Sequence, residues 1–194
     1  MFAKESLKAN KKFQSVQFHF HAGSEHTIDG QRYDLEMHTV HYPPKADNGF
    51  IAAALGIIFD TKNYDKSVTP EQVDVIDRFF ESMKWNQFVQ APVSSTDKDV
   101  VVPMVNYGEL VNNLNTSYRW VYSGSVTTPP CAKSVYWNVI ATVMPIKEKH
   151  YRMFKDIITK KSPNYVGPEG NYRVICKLDK QDPKLMVPVM ATAQ

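Results

Sequence analysis

Alternating polar and apolar side chains between residues 17 and 41 predict two β-strands. Successive side chains of an extended strand point to opposite faces, so Gln17, His19 and His21 share one face. The phenylalanines between them, Phe18 and Phe20, occupy the other. This pattern predicts that two imidazoles can reach one point.

The second half of the stretch repeats this arrangement. After the turn signal Asp29-Gly30 comes an apolar-rich run in which Glu36, His38 and Val40 share a face. If the two strands pair, three imidazoles converge, with one glutamine and one glutamate beside them. An amide and a carboxylate can fix the tautomer and orientation of a ligating ring.

Three neutral imidazoles with one open position are typical of a catalytic zinc site. The alternative is packing, because a single histidine is more often a hydrogen-bonded core residue than a ligand. The clustering and the shared faces favour ligation here. Copper, iron and nickel also suit imidazole, but without a thiolate or a facial carboxylate zinc is the first choice.

Other periodicities predict the remaining elements. Phe50 to Phe59 is a near-continuous apolar run that predicts a buried strand, and Thr69 begins an amphipathic helix with a capping box. Strands are predicted over Tyr118 to Ser125 and over Ser134 to Met144. Gln90 to Leu114 is expected to be an irregular surface segment.

Helical spacing continues over Pro145 to Lys161. His150 lies among lysines in this segment and is expected at the surface. The two cysteines, Cys131 and Cys176, could pair, but the sequence leaves their connectivity open.

Composition limits the class of protein. A chain of 194 residues with 43% hydrophobic content suits a single domain spanning residues 1–194. The net charge of +3 is too small to indicate nucleic-acid binding. No apolar run approaches the roughly 20 residues of a membrane span, and the first residues lack the pattern of a signal peptide.

Two motifs resemble one family. Residues 17–41 resemble the zinc-binding signature of the alpha-class carbonic anhydrases, and Ser125 to Cys131 resembles the threonine-proline loop of the same family. The short connection from His21 to Glu25 is more similar to bacterial, plant and protist members. The resemblance implies a β-dominated α+β fold: a single domain with a large twisted, mostly antiparallel central sheet and peripheral helices.

The resemblance also implies roles for individual residues. His19, His21 and His38 would bind zinc, while Thr127 would accept a hydrogen bond from the zinc-bound hydroxide and donate its own proton to Glu25. The ligands would be oriented by Gln17, Glu36 and the backbone carbonyl of Asn171. Residues matching the substrate pocket are Val40, Ala54, Val126, Thr128, Val135 and Trp137.

The implied function is reversible hydration of carbon dioxide to bicarbonate and a proton. In the family, an N-terminal portion with outer strands and a proton-shuttling histidine precedes the first zinc strand, and no counterpart precedes Gln17 here. A partner chain completing the N-terminal part of the sheet is therefore one expectation. The alternative function is a carbonic anhydrase-like structural subunit of a larger assembly with weak or no turnover. Another zinc hydrolase is a third reading, but no His-Glu-x-x-His helix supplies a protease base. The resemblance favours a secretory or organellar compartment, with no targeting signal to support it.

Overall fold

The computed structural model describes residues 13–43, 49–85, 104–116, 118–161, 170–175 and 184–186. One mixed sheet dominates this part of the chain. Its strands are β1 (Gln14–Ala22), β2 (Leu35–Tyr42), β3 (Ala52–Asp60), β4 (Arg119–Ser125), β5 (Lys133–Ile140), β6 (Met144–Pro145) and β7 (Lys184–Met186). Three helices accompany them: α1 (Pro70–Ser82), α2 (Tyr107–Asn112) and α3 (Glu148–Lys161).

The strands run in the order β1-β2-β3-β5-β4-β7, and β6 pairs with β3. The β1–β2, β2–β3, β4–β5 and β4–β7 ladders are antiparallel, whereas β5 and β6 pair with β3 in parallel. The expected β-dominated, mostly antiparallel sheet with peripheral helices is confirmed.

The two faces of the sheet are covered differently. One face packs against α1 and α3 through aromatic and aliphatic side chains, among them Phe20, Phe59, Phe80 and Phe154. The opposite face has a smaller apolar cluster around Trp137. Strand parity places the histidines on this second face, away from the helices.

Local sequence explains why α1 begins at its observed residue. The Thr69 side chain accepts a hydrogen bond from the Gln72 backbone, and the Gln72 side chain accepts one from the Thr69 backbone. Pro70 occupies the first helical turn, where its missing N–H costs nothing. The predicted capping box is confirmed.

The expectation of irregular structure from Gln90 to Leu114 is wrong in part. Tyr107–Asn112 forms α2, and Leu110 is fully buried against the helix-covered face of the sheet. A six-residue helix without a side-chain cap leaves little periodicity to detect. Residues 86–103, including the short Val100 to Pro103 run, lie outside the described residues.

The surface position expected for His150 is also wrong. Its side chain is 1% exposed, its ring stacks on Phe80, and its Nε2 lies 2.8 Å from Asp77 Oδ1 on α1. Lys147 and Lys149 reach the same Asp77 carboxylate with half-exposed side chains. His150 is buried because it shares its helix face with Phe154, four residues on.

Among the described helices, none is long and apolar enough to cross a membrane. Cys131 is a free, half-buried cysteine within the described part of the chain, and Cys176 lies outside it.

Candidate metal centre

The register between β1 and β2 brings three histidines together. His19 lies directly opposite His38, and His21 lies two residues further along the same face of β1. Ring centroids are 5.1 Å apart for His19 and His21, 5.2 Å for His19 and His38, and 4.6 Å for His21 and His38. One nitrogen of each ring lies within 4.8 Å of the others, so the three could hold one metal ion.

One nitrogen of each of the three rings contacts a different protein group. Gln17 Oε1 lies 2.9 Å from Nδ1 of His19, and Glu36 Oε1 lies 2.8 Å from Nε2 of His38. The backbone oxygen of Asn171 lies 3.2 Å from Nδ1 of His21. These contacts leave Nε2 of His19, Nε2 of His21 and Nδ1 of His38 facing one another.

The donor set fits zinc. Nε2 of His21 is buried and has no hydrogen-bond partner among the described residues. A buried polar atom without a partner is costly in a folded protein, and a metal ion would remove that cost. Neutral imidazole nitrogens are ligands that zinc accepts in tetrahedral sites.

The electrostatic environment of His19 and His21 keeps these two rings neutral. Burial and the nearby rings of His38 and His21 lower the pKa of His19 to about 4. Burial, together with His38, also lowers the pKa of His21. Burial alone would raise the pKa of Glu36, but His26 and His38 lower it well below its usual range. Lone pairs are therefore available for a metal at neutral pH.

Asn171 reaches the centre from a distant part of the sequence. Its side-chain oxygen accepts a hydrogen bond from the Ala22 backbone at 2.8 Å, and its own backbone N–H donates to Ala22 oxygen at 3.0 Å. Gly170 packs so closely against Ala22 that a Cβ atom there would lie 1.7 Å from the Ala22 oxygen. Only glycine at position 170 allows this clamp on the end of β1.

Glu25 lies beside the ligands but is not joined to Thr127. Its Oε1 accepts a hydrogen bond from the Arg173 backbone at 3.0 Å, and its buried Oε2 lies 3.9 Å from Nδ1 of His38. Among the described residues, no hydrogen bond links Thr127 to Glu25, although both line a cavity of about 420 Å³.

The residues expected to line a substrate pocket fall into two groups. Ala54, Val135 and Trp137 are buried in the apolar cluster on the histidine face, where Val40 packs against them. The Trp137 ring lies 4.7 Å from the His38 ring. On the loop after β4, Val126 and Thr128 are exposed. That loop is tied to the sheet because Trp137 Nε1 donates to the Ser125 oxygen at 3.0 Å.

Sequence reasoning missed His26 and Tyr122. Nδ1 of His26 lies 2.6 Å from Glu36 Oε1, and its Nε2 lies 2.7 Å from the Tyr122 hydroxyl. Burial lowers the pKa of His26, but the Glu36 carboxylate raises it by more, so the net shift of the pKa is upward. Strand parity could not locate His26, since it lies in the loop between β1 and β2, and nothing in the sequence pairs it with Tyr122.

Comparisons with known proteins identify the family of this chain. Residues 2–182 match the family model described as eukaryotic-type carbonic anhydrase. The chain is 33% identical over 135 residues to a carbonic anhydrase from Nostoc, covering 69% of this chain and 43% of that protein. It is also 26% identical over 185 residues to dioscorin dioA3 from Dioscorea japonica, covering 94% and 61% of the two chains.

Solved structures give the same result. A Thermovibrio ammonificans alpha-carbonic anhydrase in complex with sulfanilamide aligns with a TM-score of 0.61 and 25% identity, covering 91% of this chain and 63% of that one. A halotolerant carbonic anhydrase from Dunaliella salina aligns with a TM-score of 0.64 and 27% identity, covering 90% and 61%. The sheet that carries the three neighbouring histidines thus has the fold of the carbonic anhydrases. The chain belongs to the eukaryotic-type carbonic anhydrase family, and it spans 43% to 61% of the length of the two curated relatives named above.

Proposed function

We propose that this chain binds zinc through His19, His21 and His38 and catalyses the reversible hydration of carbon dioxide to bicarbonate and a proton. The observation that supports the proposal most strongly is the orientation of the three rings. Each has one nitrogen held by a different protein group and the other directed at its neighbours, within the fold of a carbonic anhydrase.

Zinc bound there would lower the pKa of a bound water to about 7 and so supply a hydroxide nucleophile at neutral pH. The residues of the protein would hold the metal, orient its ligands and shield the site from water. Gln17, Glu36 and the Asn171 backbone keep each ring in the tautomer that presents a lone pair. Trp137 and Val40 provide an apolar wall that suits a nonpolar substrate.

Thr127 and Glu25 have a proposed role in proton orientation. The unpartnered Oε2 of Glu25 is an acceptor for the Thr127 hydroxyl, and a threonine that donates there can accept a hydrogen bond from the attacking oxygen. The two side chains line the same cavity, and the proposed role requires the loop after β4 to bring the Thr127 hydroxyl to the Glu25 carboxylate. Val126 and Thr128, on the same loop, are proposed to border the substrate.

The first experiment measures zinc content and carbon dioxide hydration by stopped flow on the whole chain. We expect one zinc per chain and a rate that His38→Ala abolishes together with zinc binding. His41→Ala, on the same strand but outside the ligand set, is the matched control and should retain both. A parent chain without zinc, or activity that persists in His38→Ala, would overturn the proposal.

The alternative function is a carbonic anhydrase-like subunit of a larger assembly. In the described residues β1 ends the sheet order and pairs only with β2, which leaves an edge that a partner strand could cover. Stoichiometric zinc without turnover, together with a chain that purifies only with another protein, would favour this alternative. Light scattering measures the molar mass of the purified protein and so distinguishes a single-chain enzyme from a subunit of a larger assembly.

A further inference from the structure

A cavity of about 420 Å³ lies beside the metal centre, on the face of the sheet that carries the histidines. Its walls are residues 25–29 of the loop between β1 and β2, part of strand β4 and residues 173–175. His19, His21 and His38 are not among the described residues that line it. Small-molecule sites have volumes of roughly 300–1,000 Å³. The cavity is therefore a second candidate ligand site, separate from the three ligating rings.

Apolar and aromatic side chains make up much of the cavity wall. Ile28, Trp120 and Val139 line it, and all three belong to the apolar cluster around Trp137 or pack against it. Val139 is buried, whereas Ile28 and Trp120 are half-buried and so have surface left for a ligand. Aromatic rings stack on one another or meet edge to face. A planar aromatic ring is thus the shape of ligand that this wall suits.

The charged groups around the cavity favour a neutral ligand. Glu25 and Asp29 contribute carboxylates to its lining, and Arg173 contributes a guanidinium. Because charges of both signs line the cavity, an anion or a cation would meet repulsion as well as attraction.

The Glu25 carboxylate offers one hydrogen-bond acceptor without a partner. The side chain is 4% exposed, and its Oε1 accepts the Arg173 backbone N–H at 3.0 Å. Its Oε2 is buried and has no hydrogen-bond partner among the described residues. A buried carboxylate oxygen without a donor is costly in a folded protein. A ligand that brings one N–H or O–H group to Oε2 would remove that cost.

We propose that this cavity binds a neutral, planar aromatic molecule that carries one N–H or O–H donor. The ring packs against Trp120 and Ile28, and the donor bonds Oε2 of Glu25. The same oxygen is the acceptor proposed above for the Thr127 hydroxyl, so an occupant would slow carbon dioxide hydration without removing zinc. That effect on turnover rests on the proposed function, whereas the binding itself does not.

The test compares two probes of the same shape by isothermal titration calorimetry on the whole chain. Indole carries one N–H donor, and benzofuran has an oxygen acceptor in its place. A hydrogen bond to a charged acceptor is worth about 1.5 to 3 kcal/mol, so we expect benzofuran to bind about 10- to 100-fold more weakly than indole. Equal affinities would show that the cavity selects for apolar surface alone, which would overturn the role of Glu25.

Glu25→Gln should reverse the preference between the probes. The Arg173 backbone N–H keeps the amide oxygen at the position of Oε1, so the amide N–H group takes the place of Oε2. A donor then faces the cavity, and benzofuran should bind at least as tightly as indole. An unchanged preference for indole in this variant would contradict the proposed hydrogen bond.

Ile28→Trp fills the cavity from the loop between β1 and β2 and should abolish indole binding. Met104→Trp is the matched control, because it adds the same side chain at a position that is 71% exposed and outside the cavity lining. This control should bind indole as the parent does. Undiminished binding in folded Ile28→Trp would place the ligand elsewhere.

A parent chain that does not bind indole would overturn the inference outright. If Ile28→Trp does not fold, the two probes on the parent and on Glu25→Gln still decide. Hydration rate and zinc content measured with saturating indole test the effect on turnover, and an unchanged rate would overturn that effect. A chain that binds indole but no zinc would overturn the proposed function alone, whereas an active zinc protein without indole binding overturns this inference alone.

Discussion

At the scale of single residues, the metal centre depends on how little space surrounds Glu36. Gly56 lies opposite His38 in the β2–β3 register, and a Cβ atom at position 56 would lie 2.8 Å from Glu36 Oε1. Glu36 is fully buried and holds two imidazoles, so it cannot swing aside as an exposed side chain could. The lack of a side chain at Gly56 on β3 thus leaves room for Glu36, which orients His38 on the neighbouring strand β2.

Gly56→Ala is therefore expected to displace Glu36 and weaken zinc binding by about 10- to 100-fold. Gly108→Ala is the matched control: a Cβ atom there meets no atom within 4 Å, and alanine in a helix is favoured over glycine by about 1 kcal/mol. Zinc affinity and melting temperature of both variants are the measurements. Equal zinc affinity in the two variants would contradict the prediction.

The depressed pKa of His19 predicts a pH dependence for the metal-free protein. The pKa is about 4 in the folded chain, against 6.5 for an unperturbed histidine, so the unfolded chain binds more protons between these values. Above pH 6.5 His19 is neutral in the folded and unfolded chains, so its protonation costs no stability. As the pH falls toward 4, protonation of His19 increasingly favours the unfolded chain. Melting temperature should decline across this window.

His19→Gln cannot titrate and should flatten that decline. Thermal melts of the metal-free parent and the variant, recorded in matched buffers between pH 4 and pH 7, make the comparison. Parallel curves would show that His19 does not contribute to the acid sensitivity.

At the scale of elements, strand parity predicted which histidines lie together, whereas helix periodicity predicted two helices and missed a third, short one. Alternation along β1 and β2 was sufficient to group His19, His21 and His38, because a strand has only two faces. Short α2 was missed, since six residues complete fewer than two turns. The parallel pairing of β3 with β5 joins strands more than 70 residues apart, which no local pattern could indicate.

His150 is buried although its neighbours in the sequence are charged. Its flanking lysines indicated a surface residue, yet the ring lies between α3 and α1, with Nε2 on Asp77 and its face on Phe80. The contact joins two helices that cover the same face of the sheet. Position 150 is thus part of the packing that supports the sheet from behind the metal centre.

We expect His150→Ala to lower the free energy of unfolding by roughly 2 to 4 kcal/mol, because it leaves a cavity beside Phe80 and removes a partner of Asp77. Arg152→Ala, two residues along the same helix, removes an exposed side chain and an exposed ion pair with Glu148, so about 0.5 kcal/mol or less is expected. Urea denaturation of both variants measures the difference. Similar losses in the two would contradict the interior position of His150.

At the scale of the whole molecule, the ligands join two strands on the face of the sheet that the helices do not cover. His19 and His21 come from β1 and His38 from β2, while β1 ends the sheet within the described residues. A metal bound there would strengthen the pairing of the outermost strand. Such reinforcement would act at the end of the described sheet, where β1 pairs with β2 alone.

Zinc is accordingly expected to stabilise the folded chain by mass action, by about 2.7 kcal/mol when free zinc is 100 times its Kd. Melting temperature should rise with added zinc and return to the metal-free value after a chelator is added. His38→Ala should show no response to either addition. A zinc-dependent shift that persists in this variant would place the stabilising metal elsewhere.

The clamp formed by Gly170 and Asn171 has a consequence for the order in which the protein is made. His21 is oriented by a carbonyl 150 positions further along the chain. When a ribosome synthesises this protein, all three histidines emerge long before Asn171 exists. Early metal capture would therefore meet a loosely held His21, and the centre reaches its final rigidity only when the later segment folds back onto the first strand.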